Sequence, residues 1–207
     1  MIVVVDYGMG NLKSVQNAAD FLGVKVKVSD SKNTLKRAKK IVFPGVGHFG
    51  RTVKELRKRK IFNILRERIN EGVPFLGICI GMQVLFDSSQ ESPGVKGLGL
   101  IKGRVKSFKS KELVVPHMGW NQVGINKQSQ EAKDNKLFKG VKDKSYFYFV
   151  HSYYCVPEEK DIIITTTNYG VDFASSIHKD NIWALQFHTE KSQRLGLRVF
   201  NNFIKLC

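Results

Sequence analysis

Gly77-Ile78-Cys79-Ile80-Gly81 sets a cysteine midway between two glycines, after the apolar run Phe75-Leu76 and before Met82-Gln83-Val84-Leu85-Phe86, which reads as the opening of a helix. This has the form of a nucleophile elbow, a sharp strand-to-helix turn with cysteine in the serine position. Such a turn pushes the sulfur out at the carboxyl end of a sheet, and its backbones come too close for side chains at the glycine positions. The start of a helix also favours thiolate over thiol. A free cysteine is more often a small buried hydrophobe. Cys155 and Cys207, which lack the elbow context, are read that way.

A thiolate nucleophile needs a base, and the base an orienting acid. Of the five histidines, His48, His117, His151, His178 and His188, only the last stands in a strong local pattern, Gln186-Phe187-His188-Thr189-Glu190, after the apolar run Ile182-Trp183-Ala184-Leu185. Residues two apart on an extended chain share a face, so His188 and Glu190 can both point toward Cys79. A strand-end histidine with an exposed glutamate fits the pair as well. An anionic tetrahedral intermediate also needs backbone N–H donors. The amide of Ile80, next after the nucleophile, is one. The second is expected from Pro44-Gly45-Val46-Gly47, which follows Ile41-Val42-Phe43. Glycines on both sides of Val46 let its peptide approach a substrate or flip, although an ordinary tight turn fits this loop equally.

The elements that must position these groups follow from the hydropathy pattern. Short β-rich runs (Ile2 to Val5, Val24 to Val28, Ile41 to Phe43, Pro74 to Ile78) alternate with helical patterns such as Lys13 to Leu22 over the first eighty-odd residues. That is the mark of βαβ units around a parallel sheet. From about Gly99 strand-like segments crowd together: Arg104 to Phe108, Leu113 to Val115, Tyr146 to Val150, Ile162 to Thr167, Ala174 to Ile177 and Ile182 to Phe187. The lysine-rich stretch from Asn126 to Lys144 reads as a loop with a helical turn, and Leu195, Val199 and Phe203 mark a C-terminal helix. The fold expected is α/β, an open, mostly parallel central sheet flanked by helices with a β-rich second half, in one domain spanning 1–207.

The chain of 207 residues carries a net charge of +16 with 42% hydrophobic residues, which excludes disordered and collagen-like classes. The densest basic block, Arg51, Lys54, Arg57, Lys58, Arg59 and Lys60, lies where Val53, Leu56, Leu65 and Ile69 line one helical face. It is read as that helix's solvated side, not as a nucleic-acid patch. Three widely spaced cysteines give neither a disulfide framework nor a metal site. No apolar run approaches a membrane span and none resembles a signal peptide, so a cytoplasmic setting is expected.

With Cys79, His188, Glu190 and the Gly45-Val46-Gly47 loop assembled, the sequence resembles the class I, triad-type glutamine amidotransferases. The resemblance runs from end to end: Asp6-Tyr7-Gly8-Met9-Gly10-Asn11, Pro44-Gly45-Val46-Gly47, the elbow extended through Met82-Gln83, Val115-Pro116-His117-Met118-Gly119-Trp120-Asn121, Val150-His151-Ser152-Tyr153-Tyr154 and Gln186 to Ser192. It implies hydrolysis of L-glutamine through a glutamyl thioester on Cys79, with His188 moving protons. It further implies that Gly45, Gln83, His151, Ser152 and Tyr153 hold the substrate. The segments with Gly-Trp-Asn and His-Ser-Tyr are similar to the glutaminase subunits that pass ammonia to a (β/α)₈ cyclase subunit in histidine biosynthesis. Asn11, Pro116, Met118 and Trp120 would then face that partner in a heterodimer, with no metal or organic cofactor in this half. Thr189 stands where the family usually has proline, and His48 where it usually has a small residue; His48 is expected to face solvent. Two other readings are compatible with the residues: the same chemistry feeding a nucleotide-sugar amination, or a basic, non-catalytic binding module.

Overall fold

A computed structural model of the chain describes residues 1–109, 113–133 and 135–207. Its centre is a nine-stranded sheet in the order β2-β1-β3-β4-β12-β11-β10-β7-β8. The first half is wound from β1 (Ile2–Val5), α1 (Leu12–Phe21), β2 (Val26–Ser29), α2 (Lys32–Lys36), β3 (Lys40–Phe43), α3 (Phe49–Lys58), α4 (Phe62–Asn70) and β4 (Phe75–Ile78). After β4 come α5 (Ile80–Gln83), β5 (Phe86–Ser89), β6 (Ile101–Ser107), β7 (His117–Ile125), β8 (Ser145–His151), β9 (Tyr153–Pro157), β10 (Ile163–Asn168), β11 (Asp172–Lys179), β12 (Ile182–Leu185) and α6 (Gln193–Leu206). β2, β1, β3, β4 and β12 are all parallel. The rest of the sheet, through β11, β10, β7 and β8, pairs antiparallel. A small second sheet joins β5, β6 and β9.

The parallel strands are apolar on both faces because helices cover both. Val3, Val5, Phe43 and Phe75 point to the layer holding Phe49, Leu56 and Leu65 of α3 and α4. Val4, Val42, Leu76 and Leu185 point to the opposite layer, with Val15 of α1 and Val199 and Phe203 of α6. The period-two alternation within each short strand thus decides which helix pair each residue meets. Among the described residues no helix is long and apolar enough to cross a membrane.

Four local expectations are corrected. The basic helix is two helices, broken where Lys60 takes φ 58°. Its cations are solvated as read, with Arg59 paired to Asp30 at 2.7 Å. The helix after the elbow ends at Gln83, and Phe86 starts a strand because the chain turns to pair Phe86 with Ile101. Leu113 to Val115 forms no strand, and Val114 and Val115 are exposed. β7 and β9 are strands that the pattern left unassigned: Gly119, Asn121 and Gly124 lower the β-propensity of β7, yet it pairs with β8 from His117 to Val123 and with β10 at Gly124 and Ile125.

Candidate active site

Three adjacent parallel strands deliver the candidate groups to one spot at their carboxyl ends, the usual place for a site in an open α/β sheet. β4 lies between β3 and β12, with Gly77 opposite both Phe43 and Ala184. The chain leaves β3 into Pro44–Gly47, β4 into Cys79, and β12 into Gln186–Glu190. The Cys79 N–H donates to Leu185 O at 2.7 Å, which ties the elbow to the neighbouring strand end. Cys79 itself has φ 54°, the strained conformation an elbow imposes. A Cβ on Gly77 would lie 2.5 Å from Gly81 O, and one on Gly81 only 2.1 Å from Phe43 O. Both elbow glycines are therefore required by backbone approach, as their spacing implied.

His188 is fully buried and its Nδ1 is 2.7 Å from Glu190 Oε1. Glu190 is not exposed: its side chain is 4% accessible. Being bound to a carboxylate, Nδ1 carries a proton, and Nε2 is left with no partner among the described residues. Burial works against charge on His188, but the negative sulfur of Cys79 and then Glu190 outweigh it and lift the imidazolium pKa to about 10. A buried histidine held by a carboxylate and acting on a cysteine sulfur is the arrangement a cysteine nucleophile uses. The Cys79 sulfur also lies 3.7 Å from Gln186 Nε2 and 3.8 Å from the Val150 carbonyl. Thr189 opens a short 3₁₀ turn that leaves both neighbouring side chains in place.

The two expected oxyanion donors are not presented together. The Ile80 N–H donates to Gly45 O at 3.4 Å. Gly45 O and the Val46 N–H belong to one planar trans peptide and point in opposite directions, so the Val46 N–H faces away from the elbow. Gly45 and Gly47 both have φ 146°, a region closed to most side chains. Tyr7, buried and stacked on Phe43 with centroids 4.9 Å apart, donates its hydroxyl to Val46 O at 3.4 Å. Burial, with the negative Cys79 and Asp6 adding to it, pushes the Tyr7 phenol far up, so it remains a donor.

A cleft of about 260 Å³ opens over Cys79, lined by Val46, Gly47, Gln83, Glu91, Pro116, His151, Ser152 and Tyr153. Gln83, His151, Ser152 and Tyr153 are thus brought together with the cysteine, and Gly45 lies beneath, its absent Cβ 1.8 Å from Tyr7 Oη. Glu91 was not picked out from the sequence; its Oε2 accepts from the Phe49 N–H at 2.6 Å, capping α3 just beyond the flippable loop. Asn11 is at the N-terminus of α1, its Oδ1 accepting from Ser14 N at 3.2 Å, away from the cleft lining. His48 is exposed, as expected.

Behind the cleft, His151 Nδ1 donates to Tyr153 O at 2.8 Å, so its Nε2 accepts from His117 Nδ1 at 2.9 Å. His117 Nε2 then accepts from Asn121 Nδ2 at 3.1 Å. Every ring nitrogen is used once with both rings neutral. Burial accordingly pushes His117 down to about 4 and His151 to about 3. Both folded pKa values lie below the ordinary ~6.5, so this contribution to stability is complete above pH ~6.5 and is lost as pH falls through about 4 and 3. Near pH 5 unfolding is expected to take up about two protons at these rings. The pH dependence of urea unfolding measures this, and an uptake near zero contradicts it.

The family model for glutamine amidotransferase class-I matches residues 3–206. The chain belongs to this family. The amidotransferase is 48% identical to imidazole glycerol phosphate synthase subunit HisH of Methanocaldococcus jannaschii, with 100% of both chains covered. It is 49% identical to the subunit of the same name from Pyrococcus furiosus, over 99% of this chain and 98% of that one. Among solved structures, a glutamine amidotransferase matches with TM-score 0.76 at 19% identity, covering 100% of this chain and 98% of that one. PurLQS from Thermotoga maritima matches with TM-score 0.75 at 19% identity, covering 98% and 96%; these two likenesses concern the fold. The amidotransferase also has an apolar face beside its cleft. Met118 and Trp120 alternate outward on β7, 65% and 46% exposed, next to exposed Val114, Val115 and Tyr146. Pro116 joins this face to the cleft lining.

Proposed function

We propose that the chain, as one domain, is the glutaminase subunit of imidazole glycerol phosphate synthase, acting in the cytoplasm in histidine biosynthesis. The observation that carries this is Cys79 in the lining of a cleft with its charge acting on the buried, hydrogen-bonded His188–Glu190 pair, in a chain nearly half identical over its whole length to subunits of that name. The Cys79 thiolate attacks the side-chain amide carbon of glutamine, forming a C–S bond and an oxyanion. His188 Nε2 gives its proton to the amide nitrogen, the C–N bond breaks, and ammonia leaves a glutamyl thioester. His188 then takes a proton from water, whose oxygen displaces the sulfur and releases glutamate. Glu190 holds the imidazole tautomer and offsets its charge. The amides of Ile80 and, once turned, Val46 receive the oxyanion. Gln83, His151, Ser152 and Tyr153 shape the glutamine site, and the Glu91 carboxylate is suited to its ammonium group.

Pro116, Met118, Trp120 and the Asn11 loop are assigned to the (β/α)₈ cyclase partner, supported by the exposed apolar face at the cleft rim. Trp120→Ala is expected to weaken that heterodimer about 30-fold or more, as loss of a large aromatic anchor does, read by titration calorimetry; unchanged affinity removes Trp120 from the interface. The reading as a whole is tested by glutamate release from this chain alone and with the cyclase and its ribonucleotide ligand. Strong stimulation in the complex supports it. Silence in both, with Cys79 still alkylated by a glutamine analogue, moves the acceptor to another pathway, and full activity confined to the isolated chain removes the partner.

A further inference from the structure

Gln186 is completely buried beside the candidate nucleophile, and its amide orientation is dictated by its neighbours. The Tyr153 carbonyl can only accept, so the Gln83 atom 3.0 Å from it is Nε2. The other proton of that NH₂ group goes to Gln186 at 3.3 Å, which must therefore present its oxygen there. The remaining end of the Gln186 amide, its NH₂ group, faces the Cys79 sulfur at 3.7 Å. Flipping Gln186 would set two NH₂ groups against each other, and flipping Gln83 would set an oxygen against the Tyr153 carbonyl. Tyr153 O is itself held by the His151 N–H at 2.8 Å.

An apolar side chain would fill this position without the desolvation penalty of a buried amide. The amide supplies a fixed N–H aimed at sulfur. α5, whose N-terminus begins at the elbow, has only four residues, so its macrodipole is weak support for a thiolate; the His188 imidazolium favours charge on the sulfur, and the Gln186 N–H adds to it on a side where the Val150 carbonyl, 3.8 Å away, offers an ionised sulfur nothing. We propose that Gln186 is a further catalytic residue, whose clamped amide donates a hydrogen bond to the Cys79 thiolate and so keeps the nucleophile ionised. No atom is transferred: the N–H stays on Gln186, weakens as a donor when sulfur becomes the neutral thioester, and strengthens again when the thiolate is expelled. A hydrogen bond made to the charged form favours that form.

The proposal rests on Cys79 being the nucleophile, and the test separates the two. Iodoacetamide alkylation of the full chain is followed across pH by mass spectrometry of the Cys79 peptide. In Gln186→Met the midpoint is expected to move to higher pH by about one unit. Below that midpoint, where the ionised fraction of Cys79 limits the rate, glutamine turnover falls about tenfold while KM stays within about twofold, because the lost interaction acts on ionisation of sulfur and not on substrate binding. Gln186→Glu, the same size but with a carboxylate near the sulfur, moves the midpoint further in the same direction. Folded variants whose midpoints coincide with the wild type overturn the role of Gln186. A wild-type Cys79 no more reactive than Cys207 removes the nucleophile reading and this proposal with it. Should the variants not fold, the wild type still decides: the Gln186 side-chain amide proton resonances are expected to titrate with the alkylation midpoint of Cys79, and resonances indifferent to it overturn the proposal.

Discussion

Cys79→Ala is expected to abolish glutamate release, a loss of at least about 10⁴-fold, in a chain that folds as the wild type does. The sulfur forms the only covalent bond the protein makes to substrate in the proposed reaction, so nothing else can replace it. The truncation itself removes one buried atom and leaves the Gly77 and Gly81 approaches untouched. The wild type should keep its activity far into the alkaline range. His188 has a pKa raised to about 10 because the negative Cys79 and Glu190 outweigh the effect of burial. Its charge, and the stability that charge contributes, is thus fully present below the ordinary histidine value of ~6.5 and lost as pH rises through about 10. Glutamate release by Cys79→Ala at the wild-type rate, or an alkaline limb near neutrality, contradicts this assignment.

The second large effect concerns the Gly45–Val46 peptide. As it stands, its carbonyl occupies the Ile80 N–H and its own N–H is turned outward, so both proposed oxyanion donors are out of use. One rotation of that peptide frees the first and supplies the second. Because a single such donor is worth about 10²–10³ in rate, the isolated chain is expected to hydrolyse glutamine at least about 100-fold more slowly than a partner complex in which the peptide has turned. Equal rates in the two states count against this gate. The glycine at 45 is indispensable to it, since a Cβ there would sit 1.8 Å from the Tyr7 hydroxyl.

Groups whose roles are set by local chain geometry were legible in the sequence. The elbow could be read because two glycines, a cysteine and an apolar strand lie within a few residues, and each glycine proves to be demanded by a backbone contact under 3 Å. His188 and Glu190 were legible as a spacing of two, although they come together through a turn after β12 and not along a straight strand. β7 was missed because glycines and Asn121 mask its alternation, and its existence depends on pairing with β8 far along the chain. Glu91 and Gln186 were missed for a related reason. Nothing near Glu91 tells that it folds back to cap α3, and the orientation of Gln186 is fixed by Gln83, 103 positions away. The direction of the Val46 N–H is a choice between backbone states that flanking glycines leave open. The sequence could locate the loop without saying which state it holds.

The most direct measurement is to mix the chain and the proposed cyclase partner with glutamine, quench in acid within a turnover, and determine the mass of every cysteine-containing peptide. A glutamyl group carried by the Cys79 peptide, released by hydroxylamine and absent from Cys79→Ala, is the predicted result. Glutamate formed with no adduct on Cys79, or with the adduct on Cys155 or Cys207, contradicts the account.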